Sequence, residues 1–79
     1  MTTYILYGTS GCHLCEVAHD MIEQAVRAGA DCELQEVDIA DSDALFERYG
    51  VLIPVLAGPQ GEELRWPFSA EQLRQFLDT

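Results

Sequence analysis

The stretch "TYILYGTSGCHLCEVAHDMIEQAVRAG", residues 3–29, changes its periodicity partway along. Residues 3–8 are β-formers closed by Gly8, the pattern of a buried strand. "TSG" (9–11) then makes a short loop. From about residue 12 to 28, Val17, Ala18, Met21, Ile22, Ala25 and Val26 recur at helical spacing. Glu16, Asp20, Glu23, Gln24 and Arg27 take the opposite side, and Gly29 suits a helix stop. Cys12 and Cys15, three residues apart, fall where the loop meets the helix.

The remainder continues the alternation of strand and helix. "CELQEVDI" (32–39) sets Cys32, Leu34 and Glu36 against Glu33, Gln35 and Val37, an imperfect strand pattern. "DSDALFERYG" (41–50) reads as a short helix capped by Asp41 or Ser42 and followed by Gly50. In "VLIPVLAG" (51–58), Pro54 donates no ladder hydrogen bond, so the strand is predicted to begin at Pro54 or Val55. "GPQG" (58–61) is a turn, and "EELRW" (62–66) returns as the second arm of a hairpin. "SAEQLRQFL" (69–77) closes the chain as a helix, with Ser69 and Gln72 at capping-box spacing and Leu73, Phe76 and Leu77 as its apolar stripe. The predicted order is β-α-β-α-β-β-α: a parallel β-α-β unit and an antiparallel hairpin in one mixed four-stranded sheet flanked by helices.

Seventy-nine residues without repeat, linker or low-complexity tract imply a single domain spanning 1–79, near the lower size limit for a self-sufficient core. The apolar runs are far short of the roughly 20 residues that span a bilayer. No basic, apolar leader precedes the first strand, so the expected location is the cytoplasm. Fourteen acids against four arginines and no lysine give a formal charge of −10. That surface repels phosphate backbones and anionic lipid, which argues against nucleic acid and membrane as partners, and it attracts basic protein.

Three cysteines do not make the disulfide framework of a secreted miniprotein, and a Cys12–Cys15 bond closes too small a loop to stabilise the fold much. Their position suggests chemistry instead. A sulfur at a helix start meets backbone amides that have no partner within the helix, and these, with the helix dipole, favour thiolate. Cysteines in such settings ionise at pKa values of about 3.5–7.5, against about 8.5 unperturbed. His13, protonated, would add to the effect; Glu16, four residues after Cys12, would oppose it, and His19 stands in the same relation to Cys15. Cys12 is therefore expected to attack a disulfide, and Cys15, one turn into the helix and more buried, to resolve the mixed disulfide.

A strand, "CHLC" at a helix start and "IP" opening a strand about forty residues later resemble the thioredoxin superfamily. The short length is similar to the glutaredoxins and their small glutaredoxin-like relatives. The resemblance covers nearly the whole chain. It implies a thioredoxin-like fold, a cis bond before Pro54 and packing of Pro54 against the cysteines. It also implies that the backbone of Ile53 pairs with bound peptide or glutathione, with Cys12 as nucleophile and Cys15 as resolving thiol. The chain departs from the family pattern in three places. His13 and Leu14 replace the usual Pro-Tyr; Thr9 and Ser10 stand where a lysine usually holds a glutathione carboxylate; and "WPFSAEQ" replaces a glycine-rich segment with an aspartate. No bound cofactor is expected. Glutathione is the candidate reductant, against which the missing lysine and the −10 charge both count.

The leading expectation is a monomeric glutaredoxin-like thiol–disulfide oxidoreductase acting on a disulfide-bearing protein or a low-molecular-weight thiol, served by a reductase or glutathione. Two alternatives stay open. One is a binding or redox-sensing module of the same fold with little turnover. The other is a metal carrier in which Cys12, Cys15, His13 and His19 supply the ligands, or an iron–sulfur cluster is bridged between subunits. C-x-x-C haem attachment fails because Glu16 stands where histidine is required. Cys32 is expected in the core. Trp66 and Phe68 are core by default, with a substrate platform beside the last helix as the alternative, and Tyr4, Tyr7, Phe46 and Tyr49 are expected to be core or half-exposed.

Overall fold

The computed structural model describes residues 2–30 and 32–77. Strand β1 (Thr2–Gly8) leads into helix α1 (His13–Arg27) and strand β2 (Cys32–Asp38). A 3-10 turn over Ile39–Asp41 precedes helix α2 (Asp43–Tyr49), and strands β3 (Val55–Ala57) and β4 (Glu63–Arg65) lead to helix α3 (Ala70–Leu77). The sheet order is β2-β1-β3-β4. β1 runs parallel to β2, Thr2 opposite Cys32 through Gly8 opposite Asp38. It runs antiparallel to β3, with Leu6 opposite Leu56 and Tyr7 opposite Val55. β3 and β4 form the expected hairpin.

Period-two alternation along the central strand divides the core. Tyr4 and Leu6 face a cluster with Ala18 and Ile22 of α1, Cys32, Leu56, Phe68, and Leu73 and Leu77 of α3. Tyr7 points to the other face, against a cluster of Ile39, Tyr49 and Val55 beside α2. The Tyr4 hydroxyl donates towards the carbonyls of Leu77 and Phe76 at 3.3 and 3.4 Å, joining the two ends of the chain.

Local chemistry sets the boundaries. α1 ends in a Schellman arrangement: the Ala30 N–H donates to Ala25 O and the Gly29 N–H to Val26 O, with Gly29 at φ 111°. Ser69 and Gln72 form the reciprocal cap, Ser69 N–H to Gln72 Oε1 at 2.8 Å and Gln72 N–H to Ser69 Oγ at 3.1 Å. Of the two candidate caps for α2, Ser42 serves, its Oγ accepting from Leu45 N–H. Asp41 instead belongs to the 3-10 turn, which Asp38 caps by accepting from Ala40 N–H at 2.9 Å. β3 begins at Val55, and the Pro54 carbonyl accepts from Trp66 N–H at 3.2 Å, so the ladder continues to Pro54 without needing an N–H there. The Ile53–Pro54 peptide is cis, and so is Trp66–Pro67.

One aromatic expectation changes and another is met. Phe46 is 60% exposed, because the seven-residue α2 turns Tyr49 and not Phe46 towards the sheet. Phe68 is a core residue, 5% exposed, with the half-buried Trp66 edge-on against it at 5.1 Å. Phe68 is therefore not an open platform. Cys32 is buried in the core, as expected. No helix among the described residues is long and apolar enough to cross a membrane.

Candidate active site at the start of the first helix

β1 runs out at Gly8, and the loop to α1 turns through Gly11 at φ 78°. The helix proper starts at His13, one residue later than the spacing suggested, because Cys12 is its N-cap in extended conformation. Cys12 Sγ accepts from the Cys15 N–H at 3.2 Å, so the sulfur does the work a Ser or Asp oxygen does at an ordinary cap. Cys12 is partly exposed and Cys15 buried. The two are joined in a disulfide, their Cα atoms 5.2 Å apart. Beneath them a Cβ on Gly8 would lie 2.9 Å from Cys15 Sγ, closer than real Cβ atoms come. Glycine at position 8 is what lets the helix settle this low on the strand.

His13 and Glu16 project into solvent, side chains 85% and 75% exposed, with Nδ1 and Oε2 4.0 Å apart. Ile53 and Pro54 reach the same end of the sheet: Tyr7 opposes Val55, which places Pro54 in register with Gly8. Pro54 is buried. The Ile53 N–H donates to Tyr49 O at 3.1 Å, leaving any backbone pairing with a bound molecule to its carbonyl.

The four nominal metal ligands do not come together. His19 Nε2 lies 2.6 Å from Glu36 Oε1 and 3.5 Å from Glu23 Oε1, on the β2 side of α1. Among the described residues the one group of three potential ligands is His19, Asp20 and Glu23, and it contains neither cysteine.

The sequence profile of the Glutaredoxin-like domain (DUF836) matches residues 3–78. The chain belongs to this glutaredoxin-like family. Among solved structures it is similar to the structural-genomics target protein XcR50 from X. campestris, at 45% identity over 95% of each chain with a TM-score of 0.83. Protein Ne2328 from Nitrosomonas europaea is 23% identical over 95% of this chain and 89% of its own, with a TM-score of 0.78. A thioredoxin from Halobacterium salinarum is 18% identical over 98% of this chain and 72% of its own, with a TM-score of 0.73. These last two show the fold alone, and that fold is thioredoxin-like. No curated protein matches. This glutaredoxin-like domain thus combines a thioredoxin fold with a close cysteine pair at the first helix start.

Sequence reasoning passed over a second feature beside the pair. A groove of about 670 Å³ runs between α1 and the C-terminal end of β2, lined by Cys15, His19, Glu36 and Asp38 among others. Its signal was the imperfect strand pattern itself, in which Glu36 shares a face with Cys32 and Leu34.

Proposed function

We propose that this glutaredoxin-like domain is a thiol–disulfide oxidoreductase that cycles between the Cys12/Cys15 dithiol and the disulfide. The observation that carries the reading is the Cys15 N–H aimed at Cys12 Sγ at 3.2 Å. In the dithiol form the same amide faces the Cys12 thiolate and, with the helix dipole, holds its charge. The partly exposed Cys12 thiolate attacks one sulfur of a substrate disulfide. A mixed disulfide forms, and the departing thiolate takes a proton from water. Cys15, giving up its own proton, attacks Cys12 Sγ; the internal disulfide closes and the second substrate thiolate leaves. Two electrons pass from the dithiol to the substrate. Two equivalents of a low-molecular-weight thiol, or a reductase, return them.

The substrate is proposed to be a disulfide-bearing protein or small disulfide, met at the end of the sheet where Pro54, preceded by Ile53, lies in register with Gly8. Such a cycle belongs in a reducing compartment, hence the proposed cytoplasmic location. Titration of the purified protein against defined thiol buffers should give a single two-electron couple. Cys12→Ser should lose disulfide reduction altogether, while Cys15→Ser should accumulate a mixed disulfide visible by mass spectrometry. Full activity in Cys12→Ser would end the assignment.

A further inference from the structure

The groove beside Cys15 carries an anomaly in its floor. In a parallel pair, residues in register point the same way, so Glu36 shares a face with Leu6, and Asp38 with Gly8. This is the face that α1 covers, and two and four positions before Glu36 on it stand Leu34 and Cys32. A strand under a helix is ordinarily apolar there. Here two carboxylates take that place and a groove of about 670 Å³ stays open, within the roughly 300–1,000 Å³ of ligand sites. The wall from α1 adds Glu16, Asp20 and His19, and His19 bridges to the floor at Glu36, 2.6 Å away. None of the four arginines lines the groove, so four carboxylates face it against one imidazole. It lies on the β2 side of β1, whereas Pro54 lies on the β3 side.

Resting on the oxidoreductase reading, we propose that this groove seats a lysine or arginine side chain of a disulfide-bearing polypeptide, one or two residues along from the cysteine that Cys12 attacks. The charge is complementary, and the reach is right. Cys15 lines the groove and its Cα is 5.2 Å from that of Cys12, while one or two extended residues span roughly 3.3–7 Å. The acidic groove thereby selects substrates by the residue next to their disulfide.

The test uses the reduced protein and three disulfide-linked peptides that differ only in carrying lysine, glutamine or glutamate beside the cysteine. At low salt the lysine peptide should be reduced roughly three- to tenfold faster than the glutamine peptide, and the glutamate peptide more slowly still. The lysine/glutamine ratio should fall towards unity at high salt and in the Glu36→Gln/Asp20→Asn variant. Glu71→Gln, which removes a charge outside the groove, should leave the ratio intact. Equal rates for the lysine and glutamine peptides would overturn the proposal, as would a ratio that survives the groove substitutions. Should no peptide be reduced, the oxidoreductase reading fails instead. Amide shifts on titrating the protein with a lysine peptide bearing serine for cysteine then decide the groove. Shifts at Gly8, His19 and Glu36 uphold it, and their absence overturns it.

Discussion

Cys12 occupies a position that normally goes to a hydroxyl or carboxylate oxygen, and the chemistry proposed for it follows from that exchange of atoms. The local field is set by few groups. In the proposed dithiol form Glu16 would oppose the thiolate, but its side chain is 75% exposed, so the effect should be modest. Glu16→Gln is expected to lower the Cys12 pKa and raise the thiolate fraction at neutral pH by roughly two- to threefold, measured by the pH dependence of alkylation. An unchanged or raised Cys12 pKa would show that Glu16 does not act on this sulfur. Gly8 offers a second test. A methyl group there meets Cys15 Sγ at 2.9 Å and Cys15 Cβ at 3.2 Å, so the helix start must lift. Gly8→Ala should leave first attack at Cys12 largely in place and slow closure of the internal bond, seen as a persistent mixed disulfide with glutathione. At this scale the sequence was informative about the cysteines, because spacing and position at a helix start are one-dimensional facts. The groove residues were not legible in the same way. Glu36 looks like an ordinary strand acid until pairing with β1 assigns it to the helix-covered face.

Among the elements, α2 is the smallest helix and has the most specific tether. The Tyr49 hydroxyl donates to Glu63 Oε2 at 2.5 Å, Arg48 stands 3.7 Å from the same oxygen, and the Tyr7 ring stacks on Tyr49 at 4.4 Å. Burial, with the nearby Glu63 carboxylate, pushes the Tyr49 phenol up to about 12 from 10.0. The folded state therefore holds that proton more tightly than the unfolded chain does. The contribution is fully present below pH 10 and is lost as the pH rises from 10 towards 12. Tyr49→Phe should cost about 1–2 kcal/mol at neutral pH in urea unfolding, and the deficit should shrink across that alkaline window. The order of elements could be read from the sequence because each helix end carried its own signal, Gly29 for one and the Ser69/Gln72 pair for another. What could not be read depended on partners distant in sequence. The 3-10 turn appears because Asp38 caps it ahead of Ser42, and Phe46 is exposed because the side of α2 that meets the sheet is fixed by Tyr49 packing on Tyr7.

Over the whole molecule, fourteen acids surround two modest core clusters, and the described ion pairs to arginine are Arg27–Glu23 and Arg48–Glu63. Such a surface repels itself, so folding works against its own charge. Raising salt should therefore stabilise the domain, with a melting temperature that rises by several degrees; a gain of about 1 kcal/mol corresponds to roughly 4–8 °C at this size. A flat salt response would mean that the pairs already offset the repulsion. Among the described residues the sheet order leaves β2 at one border, bonded to β1 along one side, with the backbone groups of alternate residues directed to the other. Left neutral, that margin would invite a neighbour to add itself strand upon strand. Two molecules approaching along it would instead bring Glu36 and Asp38 on one face of the strand, and Glu33 on the other, towards their own copies, and the encounter would meet resistance before any hydrogen bond could form. Neutralising those acids would make the border stickier, and self-association in a crowded solution would rise with it.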